Sequence, residues 1–215
     1  MNHDSIAYYC SFVAPATLIA AVTAKISRML IRGGPFASAS GFSPPGLINF
    51  SASLAIATAT TLIPIHGLPL GRYPIGFNAN FSIPLLALLA DTLVRNGLNG
   101  ELLRARERKA LFYSAALIGV VFYPLALGFG RFDPYAWGWS FSPFFVVAGI
   151  GAAALIWRGN RCGFILLAAI VAWQIGFLES RNYWDYLLDP IFFFCGVVIT
   201  VKNLLAISRL KNESA

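Results

Sequence analysis

Apolar runs separated by short polar connections dominate the chain from one end to the other. Seven runs reach or approach the length of a membrane-spanning helix, which needs about 20 mostly apolar residues. The pattern predicts an all-α protein with about seven transmembrane helices. These helices are predicted at 6–27, 47–65, 76–95, 110–130, 140–157, 162–179 and 187–208.

Three of these runs carry local signals. The fifth and sixth are short and are joined by Arg-Gly-Asn-Arg (158–161), which is typical of a turn between antiparallel helices. The third contains Asn78, Asn80 and Pro84. We expect both amides to face other helices or a wet cavity, because amides at membrane depth need partners, and we expect Pro84 to kink the helix. Whether residues 76–95 span the bilayer completely stays open.

The basic residues predict the orientation of the helices. With seven spans, thirteen Lys and Arg residues fall on one side, in the stretches 25–32, 95–109, 158–161 and 202–211. The other side has three, Arg72, Arg131 and Arg181. Cytoplasmic loops of membrane proteins are enriched in Lys and Arg. The distribution therefore predicts an N-terminus outside and a C-terminus inside.

Composition agrees with a membrane protein. Hydrophobic residues make up 58% of the chain and charged residues 12%, whereas a soluble domain carries about 25% charged residues. Mean hydropathy is +0.69. We expect residues 1–215 to form a single transmembrane helical domain, because no polar segment is long enough for a second core. The net charge of +7 then indicates contact with lipid headgroups rather than nucleic acid.

Cysteine and histidine usage argues against a metal or cofactor. Cys10, Cys162 and Cys195 stand far apart without metal-ligand spacing, although a bridge between Cys10 and Cys195 stays open. His3 and His66 lie outside the predicted helices, so a bis-histidine haem within the membrane is not expected. The N-terminal segment has no basic residue before its apolar core, which favours a retained first helix over a cleavable signal peptide.

Two of the predicted outer loops contain similar sets of residues: an arginine, an Asp-Pro pair and several aromatic side chains. GRFDPYAWGWSFSP (130–143) and ESRNYWDYLLDP (179–190) both place Asp-Pro next to aromatic side chains. Membrane physics alone explains this pattern, because Asp caps a helix, Pro fits its first position, and Trp and Tyr favour the interface. Alternatively, the charged side chains face inward and form a site. This outer polar cluster comprises Arg72, Arg131, Asp133, Glu179, Arg181, Asp185 and Asp189.

Besides the two asparagines, the intramembrane polar candidates are two charged residues that lie inside the ends of the predicted spans, Asp91 and Lys202. Asp91 either forms an ion pair with Arg95 at the inner interface or couples protons or cations. The arrangement of seven helices with a lysine in the last one is similar to that of microbial rhodopsins. However, Val198 occupies the position of their acidic residue, and the outer half of the third run offers no carboxylate counter-ion. No retinal is expected, and Lys202 should extend to the inner headgroups.

The two long inner loops differ in character. Residues 32–46 are rich in Gly, Ser and Pro, which predicts irregular structure. Residues 95–110 contain Glu101, Arg104, Glu107 and Arg108 at helical spacing, which predicts a short surface helix leading into the fourth span.

Two stretches carry a resemblance to known proteins. ALFYSAALIGVVFYPLALGFGRFDPYAWGW (110–139) and GFLESRNYWDYLLDP (176–190) resemble uncharacterised small polytopic inner-membrane proteins of proteobacteria. The resemblance covers roughly residues 100–195. It implies a bacterial inner (cytoplasmic) membrane, with the outer loops in the periplasm, and it implies no activity.

Function is predicted only at the level of class. The sequence lacks HExxH, GxSxG, P-loop and GxGxxG motifs, so no catalytic residue is assigned and enzymatic activity stays open. We expect a non-catalytic subunit or assembly factor of a membrane complex in envelope biogenesis or transport. Its partners would be the lipid bilayer and other membrane proteins. The alternative is a membrane enzyme or transporter that handles an anionic, lipid-phosphate-like substrate at the periplasmic face.

Overall fold

The computed structural model describes residues 8, 10–32, 44–76, 78 and 80–213. Within them the fold is helical, as predicted, apart from one hairpin in which β1 (Pro64–Ile65) pairs with β2 (Leu68–Pro69). Short 3-10 helices lie at Leu70–Arg72, Pro74–Gly76 and Pro134–Gly138. The α-helices are α1 Val13–Arg32, α2 Pro44–Leu62, α3 Ile83–Gly97, α4 Ala105–Ala126, α5 Pro143–Trp157, α6 Cys162–Gln174, α7 Tyr183–Leu187 and α8 Pro190–Glu213.

The described residues divide into two compact units. Unit 1 contains those up to Phe81 together with Leu85–Arg104 and Gln174–Glu179. Unit 2 contains Ser82–Pro84, Ala105–Trp173 and the described residues from Ser180 onward. A division by contacts does not test independent folding, so a single domain over 1–215 stays a prediction.

The core of unit 1 is built from small side chains. Ala20, Ala21 and Ala24 of α1 are buried with Ala57 of α2 and Leu93 of α3. Alanine lets two helix backbones approach closely, as in the small-residue interfaces of membrane helices. Gly97 extends this packing, because a Cβ there would lie 3.1 Å from Cβ of Phe50.

Unit 2 is organised around the packing of α4 against α8. A Cβ added to Gly196 would lie 2.6 Å from the carbonyl oxygen of Phe112, and one added to Gly119 would lie 2.1 Å from Cδ2 of Phe193. Glycine at both positions therefore sets how closely the helices approach. Aromatic rings pack beside the connection that contains α7, with Phe144 stacked on Trp184 and Phe145 on Tyr183 at centroid distances of 4.3 and 4.4 Å.

Helix length qualifies the prediction of seven spans. Among the described residues, Ala105–Ala126 and Pro190–Arg209 are long and apolar enough to cross a membrane. Helices α3, α5 and α6 have 15, 15 and 13 residues. At about 1.5 Å per residue they reach roughly 20–23 Å, less than the hydrocarbon thickness of about 30 Å.

The third predicted helix begins later than expected. Helix α3 starts at Ile83, so Asn78 and Asn80 precede it instead of interrupting it. Pro84 lies in the first turn, where its missing N–H is not needed, and the kink expected there was wrong. Asn78 is 8% exposed, and its backbone N–H donates to the Pro74 carbonyl at 3.0 Å.

The separate surface helix predicted within 95–110 was also wrong. Helix α3 ends at Gly97 and α4 begins at Ala105, so Glu101 and Arg104 lie in the connection while Glu107 and Arg108 belong to α4. Glu107 is buried, at 1% exposure, and the backbone N–H of Arg161 offsets the cost of burying its carboxylate. Most of the predicted irregular loop, 33–43, and the start of the first predicted helix lie outside the described residues.

Candidate functional site

The connection between α6 and α8 contains a group of hydrogen-bonded polar side chains of unit 2. Asn182 is fully buried and begins α7, where its Oδ1 accepts from the Trp184 N–H at 3.0 Å. Its Nδ2 donates to the Tyr135 carbonyl at 2.8 Å. A Cβ at Gly138 would lie 1.8 Å from Asn182 Oδ1, so only glycine leaves room for this side chain. The sequence analysis missed Asn182, although asparagine directly before a helical stretch is a preferred N-cap.

Asp185 lies at the centre of this connection. Its Oδ2 accepts hydrogen bonds from the Tyr135 hydroxyl at 2.9 Å and from the Ser180 hydroxyl. Ser180 Oγ in turn accepts from the Asn182 N–H at 3.0 Å. We call Tyr135, Ser180, Asn182 and Asp185 the Asp185 network. Asp133 reaches its edge, because its carboxylate accepts from the Tyr135 N–H at 2.9 Å and caps the 3-10 helix.

Burial raises the pKa of the Asp185 carboxyl. The hydroxyls of Ser180 and Tyr135 lower that pKa by bonding the carboxylate, and the negative charge of Asp189 raises it. Burial also raises the pKa of the Tyr135 hydroxyl, and the charge of Asp185 adds to this effect. The carboxyl group consequently holds its proton more tightly than an exposed aspartate does.

Asp189 has the structural role that its sequence context predicts. It is 2% exposed, and its Oδ1 accepts from the Phe192 N–H at 3.0 Å. Helix α8 begins at Pro190, which confirms the predicted cap with proline at the first helical position. Its Oδ2 accepts from the Ser82 N–H at 2.9 Å, a contact that the sequence did not suggest. Both oxygens therefore bind backbone amides.

The arginines of the outer polar cluster lie in different surroundings. Arg131 and Arg181 are exposed, and the backbone carbonyl of Arg181 accepts from the Trp173 indole at 2.9 Å. In unit 1, Arg72 Nη1 lies 4.0 Å from Glu179 Oε1 and 3.4 Å from Ser11 Oγ. Its guanidinium also lies 4.8 Å from the ring centroid of Tyr8. The structure thus pairs Arg72 with Glu179 and joins Asp133 to Asp185 through Tyr135.

Asp91 is held more firmly than a surface ion pair would be. The predicted contact with Arg95 is present, with Nη1 4.0 Å from Oδ2. However, Oδ1 also accepts the N–H groups of Leu102 and Leu103, each at 2.8 Å, and Asp91 is fully buried. Its carboxylate therefore organises the connection that follows α3.

Glu107 plays a comparable part in unit 2. Its Oε1 accepts from the Arg161 N–H at 2.9 Å, and its carbonyl accepts a weak bond from Cys162 Sγ at 3.8 Å. These contacts tie the first turn of α4 to the turn between α5 and α6. The sequence offered little indication that Glu107 is buried, because a glutamate between two arginines usually lies on a solvent-exposed helix face.

The remaining candidates are Lys202 and the three cysteines. Lys202 is exposed on α8, and the neighbouring Asn203 donates to the Tyr113 hydroxyl at 3.1 Å. Cys10, Cys162 and Cys195 are free thiols, so the bridge left open above is not formed. Among the described residues, no group of three His, Cys, Asp or Glu side chains is arranged to hold a metal.

Comparison with other proteins identifies no relative: no known protein family, no curated protein and no solved structure matches the chain. The fold and contacts define a helical protein in which two described helices are long and apolar enough to cross a membrane. Any more specific function has to be inferred from its own residues.

Proposed function

We propose that the chain is a protein of the bacterial inner membrane with seven transmembrane helices, a periplasmic N-terminus and a cytoplasmic C-terminus. It acts there as a non-catalytic subunit or assembly factor of a membrane complex in envelope biogenesis or transport. The resemblance of residues 110–139 and 176–190 to small polytopic proteins of proteobacteria supports this location.

Exposed apolar side chains support insertion of the shorter helices as well as the two long ones. Val147 and Ile150 of α5 are 67% and 65% exposed, and Phe164 of α6 is 59% exposed. Soluble monomers rarely expose contiguous apolar surface on this scale. A helix that is apolar all round, as α5 is, belongs in a core or in lipid. Lipid accounts for both its composition and its exposure.

The segment before α3 supports a third span despite the shortness of that helix. Non-helical backbone is tolerated at membrane depth where protein buries it and satisfies its polar groups. Phe81 and Ser82 are 4% and 0% exposed, and the Ser82 N–H donates to Asp189. The apolar run can therefore continue through the bilayer ahead of the first helical turn.

Labelling of single cysteines tests this topology. In a chain with the three native cysteines replaced by alanine, a membrane-impermeant maleimide should label Ala136→Cys in intact cells. It should label Arg104→Cys only after permeabilisation. Both positions are exposed, and the distribution of basic residues predicts that they lie on opposite sides of the membrane.

Val147→Cys is the matched control, because this position is 67% exposed on α5 but would face lipid. It should resist the maleimide even after permeabilisation, since the thiolate that reacts does not form in hydrocarbon. Rapid labelling of Val147→Cys would place α5 in water. Labelling of Arg104→Cys from the periplasm would reverse the orientation.

The observation that carries the non-catalytic role is the use of the loop carboxylates. Asp133 caps a 3-10 helix, Asp189 binds the amides of Ser82 and Phe192, and Asp185 accepts two hydroxyl groups. Each group has a partner that shapes the connection it lies in. Such contacts build a defined surface for a partner protein.

A second candidate function rests on Asp185. A half-buried carboxyl with a raised pKa, held by two hydroxyl groups, is a group that acid–base catalysis uses. Together with exposed Arg131 and Arg181 it would suit an anionic substrate, such as a lipid phosphate, at the periplasmic face.

Alanine substitution at Arg131, Arg181 and Asp185 separates the two functions. For a complex subunit, Asp185→Ala should lower the amount of protein, since two hydroxyls lose their acceptor at a cost of about 1–3 kcal/mol. The arginine variants should keep normal levels and lose co-purified partner in mild detergent. Complementation of a deletion strain, normalised to protein level, provides the comparison. Loss of complementation by all three variants after this normalisation, with partner recovery unchanged, would instead support the enzyme or transporter.

A further inference from the structure

We infer that the first turn of α4 and the turn between α5 and α6 form one binding site for anionic phospholipid headgroups. The inference rests on the proposed function, which places this end of unit 2 at the cytoplasmic surface of the membrane. The net charge alone indicates contact with lipid headgroups, whereas this site specifies where on the chain they bind and that they are anionic.

Two contacts of Glu107 bring the two segments together. Its Oε1 accepts from the Arg161 N–H at 2.9 Å, and its carbonyl accepts from Cys162 Sγ at 3.8 Å. The turn itself is fixed, because Asn160 Oδ1 accepts from the Cys162 N–H at 2.9 Å and Gly159 adopts a positive φ of 65°. Residues 106–109 therefore lie beside residues 158–161.

Positive charge accumulates at this junction. The two segments contribute five basic residues, Arg106, Arg108, Lys109, Arg158 and Arg161. Arg106, Lys109 and Arg158 are exposed. Glu107, the acidic residue of these segments, is 1% exposed and points its carboxylate at a backbone amide. The surface therefore presents basic side chains, while the buried Glu107 holds the two segments together.

An exposed tryptophan identifies a lipid rather than a soluble anion as the ligand. Trp157 ends α5 directly before Arg158 and is 93% exposed. Tryptophan favours the headgroup level of a bilayer, and the apolar side chains of α5, including Ile150 at 65% exposure, precede it. A phospholipid fits the basic side chains, the tryptophan and the apolar face of α5. Its phosphate would contact the basic side chains, its headgroup region would surround Trp157, and its acyl chains would lie along α5.

Lipid selectivity of the purified full-length chain tests the site. In dodecyl maltoside, phosphatidylglycerol should bind more tightly than phosphatidylcholine of the same acyl chains, as measured by native mass spectrometry and by titration of the melting temperature. A basic residue near an anionic surface changes affinity by roughly fivefold. The double variant Arg106→Gln/Arg158→Gln should therefore weaken phosphatidylglycerol binding by about 25-fold and leave phosphatidylcholine binding unchanged.

Lys25→Gln/Arg209→Gln is the charge-matched control, since both residues are exposed and lie outside the two segments. It should bind phosphatidylglycerol like the wild type, and both double variants should keep the lipid-free melting temperature. Equal binding of the two lipids, or equal loss in both double variants, would overturn the site. Displacement of phosphatidylglycerol by millimolar inorganic phosphate would assign it to a soluble anion.

Failure of the proposed function gives different results. Recovery of the chain from cells without detergent, or periplasmic labelling of Arg104→Cys, contradicts the membrane topology. Retained phosphatidylglycerol selectivity together with reversed labelling would keep the site and move it to the other leaflet.

Discussion

Gly196→Ala should lower the free energy of unfolding by about 3 kcal/mol, the upper part of the usual cost of overpacking. The added Cβ would lie 2.6 Å from the Phe112 carbonyl oxygen and 3.0 Å from the Ala116 nitrogen. Both atoms belong to the backbone of α4, so no side chain can rotate to relieve the contact. Helices α4 and α8 would have to separate, and the melting temperature in detergent should fall accordingly.

Gly149→Ala provides the control for this substitution. Gly149 lies in α5, and nothing lies within 4 Å of a Cβ added there. Alanine should therefore be neutral or stabilise the helix by about 0.5–1 kcal/mol, since it loses less conformational freedom on folding than glycine. A Gly196→Ala protein as stable as Gly149→Ala would contradict the close packing of α4 and α8.

The existence of the helices was readable from the sequence, but several of their ends were not. A helix lies in each of the seven apolar runs, because hydrophobic run length is a property of consecutive residues. The third run was predicted from residue 76, and α3 begins at Ile83. Pro84, in the first turn, is a local signal for this later start, whereas the bond from the Ser82 amide to Asp189 spans 107 positions. A contact over that distance is not visible in a local sequence pattern.

The same division between local and distant contacts holds for the candidate site. Asp133 and Asp189 were predictable as caps because each binds an amide two or three residues further on. The bond from Tyr135 to Asp185 spans 50 positions and required the structure. Asn182 lies between these cases, since its cap is local while its bond to the Tyr135 carbonyl is not.

Three buried carboxylates stabilise three different connections in the same way. Asp91, Glu107 and Asp189 are each at most 2% exposed, and each accepts a backbone N–H from a segment outside its own helix or turn. Such bonds are strong in a low-dielectric interior and costly to lose. In a chain with 9 acidic residues, these three are used to hold the connections between helices.

Asp91→Ala is consequently expected to cost about 3 kcal/mol of stability and to loosen the segment after α3. The change removes the acceptor of the Leu102 and Leu103 amides. The Leu103 side chain is 3% exposed, so its N–H has little access to water as a replacement. Hydrogen exchange of these two amides, measured by mass spectrometry, should become much faster in the variant.

Asp91→Asn separates the hydrogen bonds from the charge. Its amide oxygen can still accept from both N–H groups, while the ion pair with Arg95, 46% exposed and 4.0 Å away, is lost. Because such half-exposed pairs contribute about 0–1 kcal/mol, Asp91→Asn should lose much less stability than Asp91→Ala and keep slow exchange at Leu103. Equal losses in both variants would assign the stabilisation to the charge instead, and unchanged exchange in Asp91→Ala would show that the carboxylate does not hold this segment.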